Sequence, residues 1–524
     1  MNNRNFESLT TQEKIGQLMM CGFDALDVND HAISLIKEHH IGNIILFARN
    51  VKTPEQLFKL NMNLQKLAMA SIGIPLFIGI DQEGGMVTRI FHGATHYPGA
   101  MTVSATDEPK NAYALGDRMG TELKALGINM NLAPVLDVNN NPKNPVIGVR
   151  SYSDDPNRVA TYGIQMIKGL QNHMIAVGKH FPGHGDTHTD SHLSLPTVDH
   201  DIKRLEAVEL VPFKKSIEAG LMGIMSSHIN FPHLTEEGRP STLSKNVLTK
   251  VLREQLKFEG LVVSDCMQMK GIQNHYTTPE ACVMAIEAGI DILCVSHSED
   301  IQVASYKRLV QAVERKELSE DLINERVKHV LKFKQSHIQL NLDQPFSEVK
   351  AHIINPENKA FAEDILNKAI TCVKGTPLKL MDRALCIVIL PKATTIADES
   401  DQPFDLIKQM QSDLPNLDVM TLEIEPDDLD IEKTFQKAKS YQQIIVTTYN
   451  ANIYKNQIKL IEKLHSIQSD IHVVSMRNPY DLHMTQVIKN YVCLYESTPN
   501  AMKTFLSYLK GDVVCEGKVP IHVP

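Results

Sequence analysis

The sequence predicts an α/β protein, a (β/α)8 TIM-like barrel followed by a smaller α/β/α sandwich domain, and three observations carry that prediction. Over the first two thirds of the chain, eight short apolar runs each lead into a segment with helical period. One weakly periodic stretch with two prolines then breaks the pattern, after which it restarts with five more apolar runs. Strands that alternate with helices imply a parallel sheet, and eight such units in about 300 residues fit a closed barrel. A doubly wound sheet is the alternative for this part.

The barrel is expected over residues 1–338. Its apolar runs are IGQLMMCGF, GNIILFA, PLFIGID, NMNLAPVLDV, MIAVGKHFP, LMGIMSSHI, GLVVSDC and DILCVS, each short enough for a strand buried on both faces. Between them, PNRVATYGIQMIKGLQNH and TPEACVMAIEAGI repeat apolar residues at the helical period. One irregular or reversed unit fits near the start. After the helix DLINERVKHVLKFKQSHI, residues 339–358 read as a linker. Residues 359–524 then form the second domain, with helix FAEDILNKAITCV and strands RALCIVILP, LDVMTLEI, QQIIVTTYN, DIHVVSMRNP and YVCLYES. Helical patterns separate most of these, which implies a parallel sheet covered on both faces. No glycine-rich fingerprint marks a strand-to-helix turn there, so the fold alone gives no reason for a nucleotide site.

Composition narrows the function. At 524 residues, 43% hydrophobic and 22% charged, the chain is an ordinary globular protein of about two domains. A formal charge of -9 without a concentrated basic surface argues against a nucleic-acid partner. No apolar stretch approaches about 18 residues, which excludes a membrane-spanning helix. The first residues, MNNRNFESLTTQEKIGQLMM, lack the basic start and apolar core of a signal peptide. The expectation is a cytoplasmic protein, or a secreted one if a leader has been trimmed. The eight cysteines include no CxxC pair and read as buried thiols of a reducing compartment. Oligomeric state leaves no mark in the sequence.

In a barrel, functional groups follow the C-terminal ends of the strands. Strand three ends in Asp81-Gln82-Glu83-Gly84-Gly85, with Arg89 shortly after, and strand four ends in Asp137, with Arg150 in the next loop. Strand five runs into Lys179 and His180, strand six into His228, and strand seven into Ser264-Asp265. A single carboxylate after a strand is commonly a helix cap. Convergence on one rim is what points to a site. Asp265 follows an apolar run and would project into the barrel mouth as a possible nucleophile.

The stretch KHFPGHGDTHTDSH spaces His180, His184, His188 and His192 four residues apart. On a helix that spacing would stack four imidazoles, but Pro182, Gly183 and Gly185 make the stretch a loop. Asp190 beside His192 suits general acid/base work, because a carboxylate holds one imidazole tautomer and favours the imidazolium. The alternative is that both are exposed loop residues. His184 and His188 read as structural or solvated.

The segments GIDQEGGMVTR, NLAPVLDV, GVRSYS, KHFPGHGDTHTDSHLSLP and VVSDCMQMKGI resemble, in order and spacing, glycoside hydrolase family 3, specifically its β-N-acetylglucosaminidase branch that acts on peptidoglycan fragments. YESTPNAM and GKVPIHVP resemble that family's C-terminal α/β sandwich domain. The resemblance implies Asp265 as nucleophile and His192, tuned by Asp190, as acid/base. It implies that Asp81, Arg89, Arg150, Lys179 and His180 bind the sugar, with His228 a further candidate. A small carbohydrate or muropeptide is then the substrate, and no cofactor or metal is required.

Three rival readings use the same residues. Phosphate in place of water would make the enzyme a phosphorylase, because a histidine repels an incoming anion less than a carboxylate would. A metal-dependent hydrolase could use His180, His184 and His188 with the nearby aspartates. A carbohydrate-binding protein without activity would need neither Asp265 nor the Asp190–His192 pair.

Overall fold

The computed structural model describes residues 6–188, 194–236, 238–390 and 406–523. Eight parallel strands form the first sheet: β1 (Met19–Cys21), β2 (Asn43–Leu46), β3 (Phe77–Ile80), β4 (Met130–Asn131), β5 (Ile175–Phe181), β6 (Gly223–Ser226), β7 (Leu261–Ser264) and β8 (Leu293–Val295). Their neighbour order is β7-β6-β5-β4-β3-β2-β1-β8, and a parallel bridge between Val263 and Ile292 brings β7 to β8 to complete the ring. Every strand falls inside one of the eight apolar runs. All their residues are buried, as the packed interior and outer helices of such a barrel require. No unit is reversed, since β1 and β2 pair parallel. The irregularity near the start is confined to the short connecting helices Asp30–Ile33 and Ser34–Glu38.

The outer helices follow from local signals. Helix Pro156–Gln171 starts with Asp155 accepting a hydrogen bond from Asn157 N and with proline in its first turn, and it buries Val159, Met166, Ile167 and Leu170. Its Gly169 lies so close to helix Lys110–Ala125 that an added Cβ would stand 2.3 Å from Tyr113 O. Small residues at this crossing let the two backbones touch. Within the stretch read as a linker, Phe346–Ile353 is itself helical and packs Val349 and Ile353 into the barrel's hydrophobic core.

The second sheet contains β9 (Thr371–Lys374), β10 (Ala384–Ile389), β11 (Leu417–Leu422), β12 (Gln443–Thr448), β13 (His472–Ser475) and β14 (Asn490–Cys493), in the order β11-β10-β12-β13-β14-β9. Five strands are parallel, as expected. The sixth, β9, is a correction: the residues ITCV, read as the end of a helix, leave the helix at Ala369 and pair antiparallel with β14. β-Branched Thr371 and Val373 fit a pleated surface better than a last helical turn, and they cover an edge that would otherwise be open.

The second domain sits against loops at the C-terminal ends of the barrel strands. Its apolar core takes in Met101, Ala105 and Val149 from the barrel. Glu496 Oε2 accepts hydrogen bonds from Gly99 N and Thr102 Oγ1, both at 2.8 Å. Among the described residues, no helix is long and apolar enough to cross a membrane.

Candidate active site

A cavity of about 260 Å³ opens at the C-terminal ends of the barrel strands. Its polar wall is a chain of alternating charges. Lys179, fully buried at the end of β5, places Nζ 2.7 Å from Asp81 Oδ1 and 2.6 Å from Glu83 Oε1. Arg150 then donates to Glu83 through two nitrogens, Nε to Oε2 at 2.9 Å and NH2 to Oε1 at 2.8 Å. At the other end Arg89 NH2 lies 3.9 Å from Asp81 Oδ2, while Gln82 Oε1 accepts from the Arg89 backbone amide at 2.8 Å.

Five charges can be buried together only because each carries opposite neighbours. Burial alone would raise the Glu83 pKa, but Arg150 and Lys179 reverse this and hold it well below the usual carboxylate range. Burial likewise opposes the charge on Lys179, and Asp81 with Glu83 outweighs it, so that its pKa is raised. Glu83 and Lys179 therefore stay ionised through neutral pH.

Asp137, after β4, organises the next turn of the wall. Its Oδ2 lies 2.7 Å from His180 Nδ1, and its Oδ1 accepts from the backbone amides of His180 (3.1 Å) and His184 (2.7 Å). An ionised carboxylate only accepts, so His180 carries a proton on Nδ1. Burial opposes ionisation of Asp137, and His180 lowers its pKa nonetheless. Burial and the neighbouring His180 push His184 down to about 4, which keeps it neutral.

Asp265 lies one residue past β7 and lines the same cavity. The backbone amide of Cys266 donates to its Oδ1 at 2.7 Å. Thus Asp81, Arg89, Arg150, Lys179, His180 and Asp265 come together on one wall. His228 does not join them there. It is fully buried, with Nδ1 2.9 Å from Thr242 Oγ1 and Nε2 3.0 Å from Cys266 O, and so braces the residue after Asp265 from behind. Asp190 and His192 lie outside the described residues.

Among the described residues the four-residue histidine rhythm brings only His180 and His184 together, their rings 5.6 Å apart. His184 Nδ1 meets Thr187 Oγ1 at 3.0 Å, and His188 Nδ1 lies 3.2 Å from Asn141 Nδ2, on a different partner from His180. The three-donor cluster found there is instead Asp186, His200 and Glu209. In it Asp186 pairs with His200 at 2.7 Å, and Arg204 and Asn140 hold Glu209.

Four contributors had weaker signals in the sequence. Glu83 stands two residues after Asp81 in the strand-three motif, and only its contacts with Lys179 and Arg150 reveal it as a link of the charge chain. Phe47, Arg49 and His297 also line the cavity. They follow β2 and β8, positions that mark them by strand-end logic alone, without a motif.

A barrel with a carboxylate and a polar, cationic pocket at its strand ends has an enzyme site built for a polar ligand. The glycosyl hydrolase family 3 N terminal domain matches residues 10–333. A β-hexosaminidase A of Pseudoalteromonas piscicida is 35% identical over 425 residues, covering 73% of this chain and 71% of that protein. The structure of a glycoside hydrolase family 3 β-N-acetylglucosaminidase from Paenibacillus sp. str. FPU-7 superposes with a TM-score of 0.90 at 37% identity, over 98% of this chain and 99% of that one. A fungal multi-domain β-N-acetylglucosaminidase of the same family also reaches 0.90, at 32% identity, over 98% of this chain and 61% of that one. The chain belongs to glycosyl hydrolase family 3, in its two-domain form and in the branch of the β-hexosaminidases and β-N-acetylglucosaminidases.

Proposed function

We propose that the enzyme is a retaining exo-β-N-acetylglucosaminidase that removes non-reducing terminal N-acetylglucosamine from peptidoglycan fragments such as GlcNAc-MurNAc. The observation that carries this reading is the position of Asp265 on the same cavity as the Asp81–Lys179–Glu83–Arg150 charge chain. That chain offers a sugar fixed acceptors and fixed cationic donors side by side. Hydrogen bonds to its hydroxyls can tighten as the ring flattens toward an oxocarbenium-like transition state.

In the first step Asp265 attacks the anomeric carbon while His192, as imidazolium beside Asp190, gives its proton to the departing oxygen. The carbon–oxygen bond breaks and a covalent glycosyl-enzyme forms. In the second step neutral His192 takes a proton from water, the water oxygen attacks the same carbon, and the Asp265 carboxylate leaves. Two inversions give net retention. His180, fixed by Asp137, presents Nε2 to a sugar hydroxyl.

Product analysis on GlcNAc-MurNAc, with and without phosphate, tests substrate, bond and acceptor together. The expected product in both buffers is free N-acetylglucosamine, released first as the β-anomer. Accumulation of sugar 1-phosphate would replace hydrolysis with phosphorolysis, and release of the α-anomer would exclude double displacement. Asp265→Ala should abolish turnover of a nitrophenyl N-acetylglucosaminide. His192→Ala should lose far more on poor leaving groups than on that activated one, and an equal loss on both would remove the acid role.

A further inference from the structure

The stretch that carries Asp190 and His192 leaves the barrel after β5 and returns before helix Ile202–Ala207, and described residues on its two sides are tied to each other. His200 Nε2 lies 2.7 Å from Asp186 Oδ2, although the two residues stand 14 positions apart in the chain. Glu209 adjoins this pair, the ligand-type atoms of Asp186, His200 and Glu209 all lying within 4.8 Å of one another. Arg204 NH1 lies 3.1 Å from Glu209 Oε2, and Asn140 Nδ2 donates to its Oε1 at 2.8 Å. Each carboxylate of the cluster thus has a nitrogen partner of its own.

Both legs of the stretch are also fastened separately. On the outgoing leg, Asn144 Nδ2 donates to His184 O at 2.8 Å and to Gly185 O at 2.9 Å. A Cβ on Gly185 would stand 1.6 Å from Val138 O, and one on Gly183, whose φ is 142°, would stand 2.8 Å from Glu209 Cβ. On the return leg, Val198 N donates to Asn230 O at 3.0 Å, and Asn230 N donates to Pro196 O at 2.9 Å. The Asp186–His200 pair joins leg to leg. Its two side chains are 23% and 28% exposed, so water competes for the contact and it adds little to global stability. What it does is fix both ends of the span between them, which lowers the entropic cost of placing the residues in that span. A catalytic group misplaced by about 1 Å can cost about a hundredfold in rate.

We propose that the Asp186–His200 pair, seated on Glu209, is a positioning device for proton transfer, setting the two ends of the span from which His192 serves the reaction at Asp265. This rests on the assignment of His192 as acid/base. It makes the reaction depend on Asp186 and His200, although neither lines the cavity.

The test uses the full chain and two substrates, GlcNAc-MurNAc and an activated nitrophenyl N-acetylglucosaminide. Asp186→Ala and His200→Ala should each lower kcat/KM about tenfold on the disaccharide and less than about threefold on the nitrophenyl glycoside, with the melting temperature nearly unchanged. The double variant should lose no more than either single one, since both remove the same contact. His200→Gln, whose amide keeps an N–H for Asp186, should recover part of the loss. Because kcat/KM covers the steps up to the glycosyl-enzyme, a loss that grows with a poorer leaving group reads proton donation rather than general damage. Equal losses on both substrates, or no loss on either, would overturn the proposal and leave the pair as a surface contact. Loss of wild-type activity on chelation, restored by zinc, would overturn it as well and make the cluster a metal site. Should the alanine variants fail to fold, Asp186→Asn, which removes the charge and keeps the shape, should show the same leaving-group dependence at about threefold. His192→Ala separates this proposal from the reading beneath it. If that variant itself loses equally on both substrates, the acid assignment and the positioning role fall together; if its loss depends on the leaving group and that of Asp186→Ala does not, only the positioning role fails.

Discussion

Asn478 in the second domain and Val149 in the barrel are joined by a buried hydrogen bond, Val149 N donating to Asn478 Oδ1 at 3.1 Å, one residue before Arg150. The preceding Gly148 has φ 45°, and a Cβ there would stand 2.3 Å from the same Asn478 oxygen. The turn that aims Arg150 at Glu83 is thus seated directly under the second domain. This gives that domain a physical role at the pocket, although among the described residues none of its side chains lines the cavity.

Asn478→Ala should therefore lower kcat/KM about tenfold without unfolding the protein, because a buried backbone donor loses its partner at about 1–3 kcal/mol. Steady-state kinetics beside a thermal melt checks this. Gly148→Ala should be worse in both measurements, since it adds a positive-φ strain to the clash. A normal kcat/KM in Asn478→Ala would mean that Arg150 is aimed without Asn478, by partners such as Glu83 and Val146 O.

Glu83→Gln should cost stability as well as activity, since removing one partner from a buried ion cluster typically costs about 3–5 kcal/mol. The pH dependence follows from the lowered pKa of Glu83. Its contribution is present above the unfolded carboxylate value of about 4.3 and is lost as pH falls below that toward the folded value. The midpoint of urea unfolding, followed from pH 6 to pH 3, should fall less steeply in Glu83→Gln than in wild type.

His184 acts in a higher window. Its folded pKa of about 4 lies below the unfolded value near 6.5, so the unfolded chain binds the extra proton and stability falls as pH drops between the two. His184→Asn should flatten the change in unfolding free energy between pH 7 and pH 4.5. An identical change in both proteins would show that the histidine is protonated in the folded state.

Asp481 has the opposite sign. Burial pushes its pKa up to about 7 although Thr448 donates a hydrogen bond to it, so over roughly pH 4 to 7 the folded chain holds a proton that the unfolded chain has released. Its contribution is present below the unfolded carboxylate value and is lost as pH rises through 7. Asp481→Asn, isosteric and uncharged, should raise the melting temperature at pH 8 and leave it little changed at pH 4. Calorimetry at the two pH values tests this directly.

The sequence on its own determined the succession of elements: eight apolar runs became eight barrel strands, because a strand buried on both faces needs an uninterrupted apolar segment whatever its neighbours. It also marked Asp81, Lys179, His180 and Asp265, because strand ends in such a barrel are where functional groups project. Tertiary structure decided the rest. Edge pairing with β14 made β9 a strand, where local pattern alone favoured a helix end. His228 turned behind Cys266, since the direction of a side chain after a strand depends on what packs around it. Glu83 gained its role because Lys179 and Arg150, distant in the chain, arrive on either side of its carboxylate, and the seat of Arg150 came from Asn478, more than 300 residues further on. Periodicity records which face of an element is buried, whereas ion-pair partners and pocket walls are set by three-dimensional proximity, which no local spacing encodes.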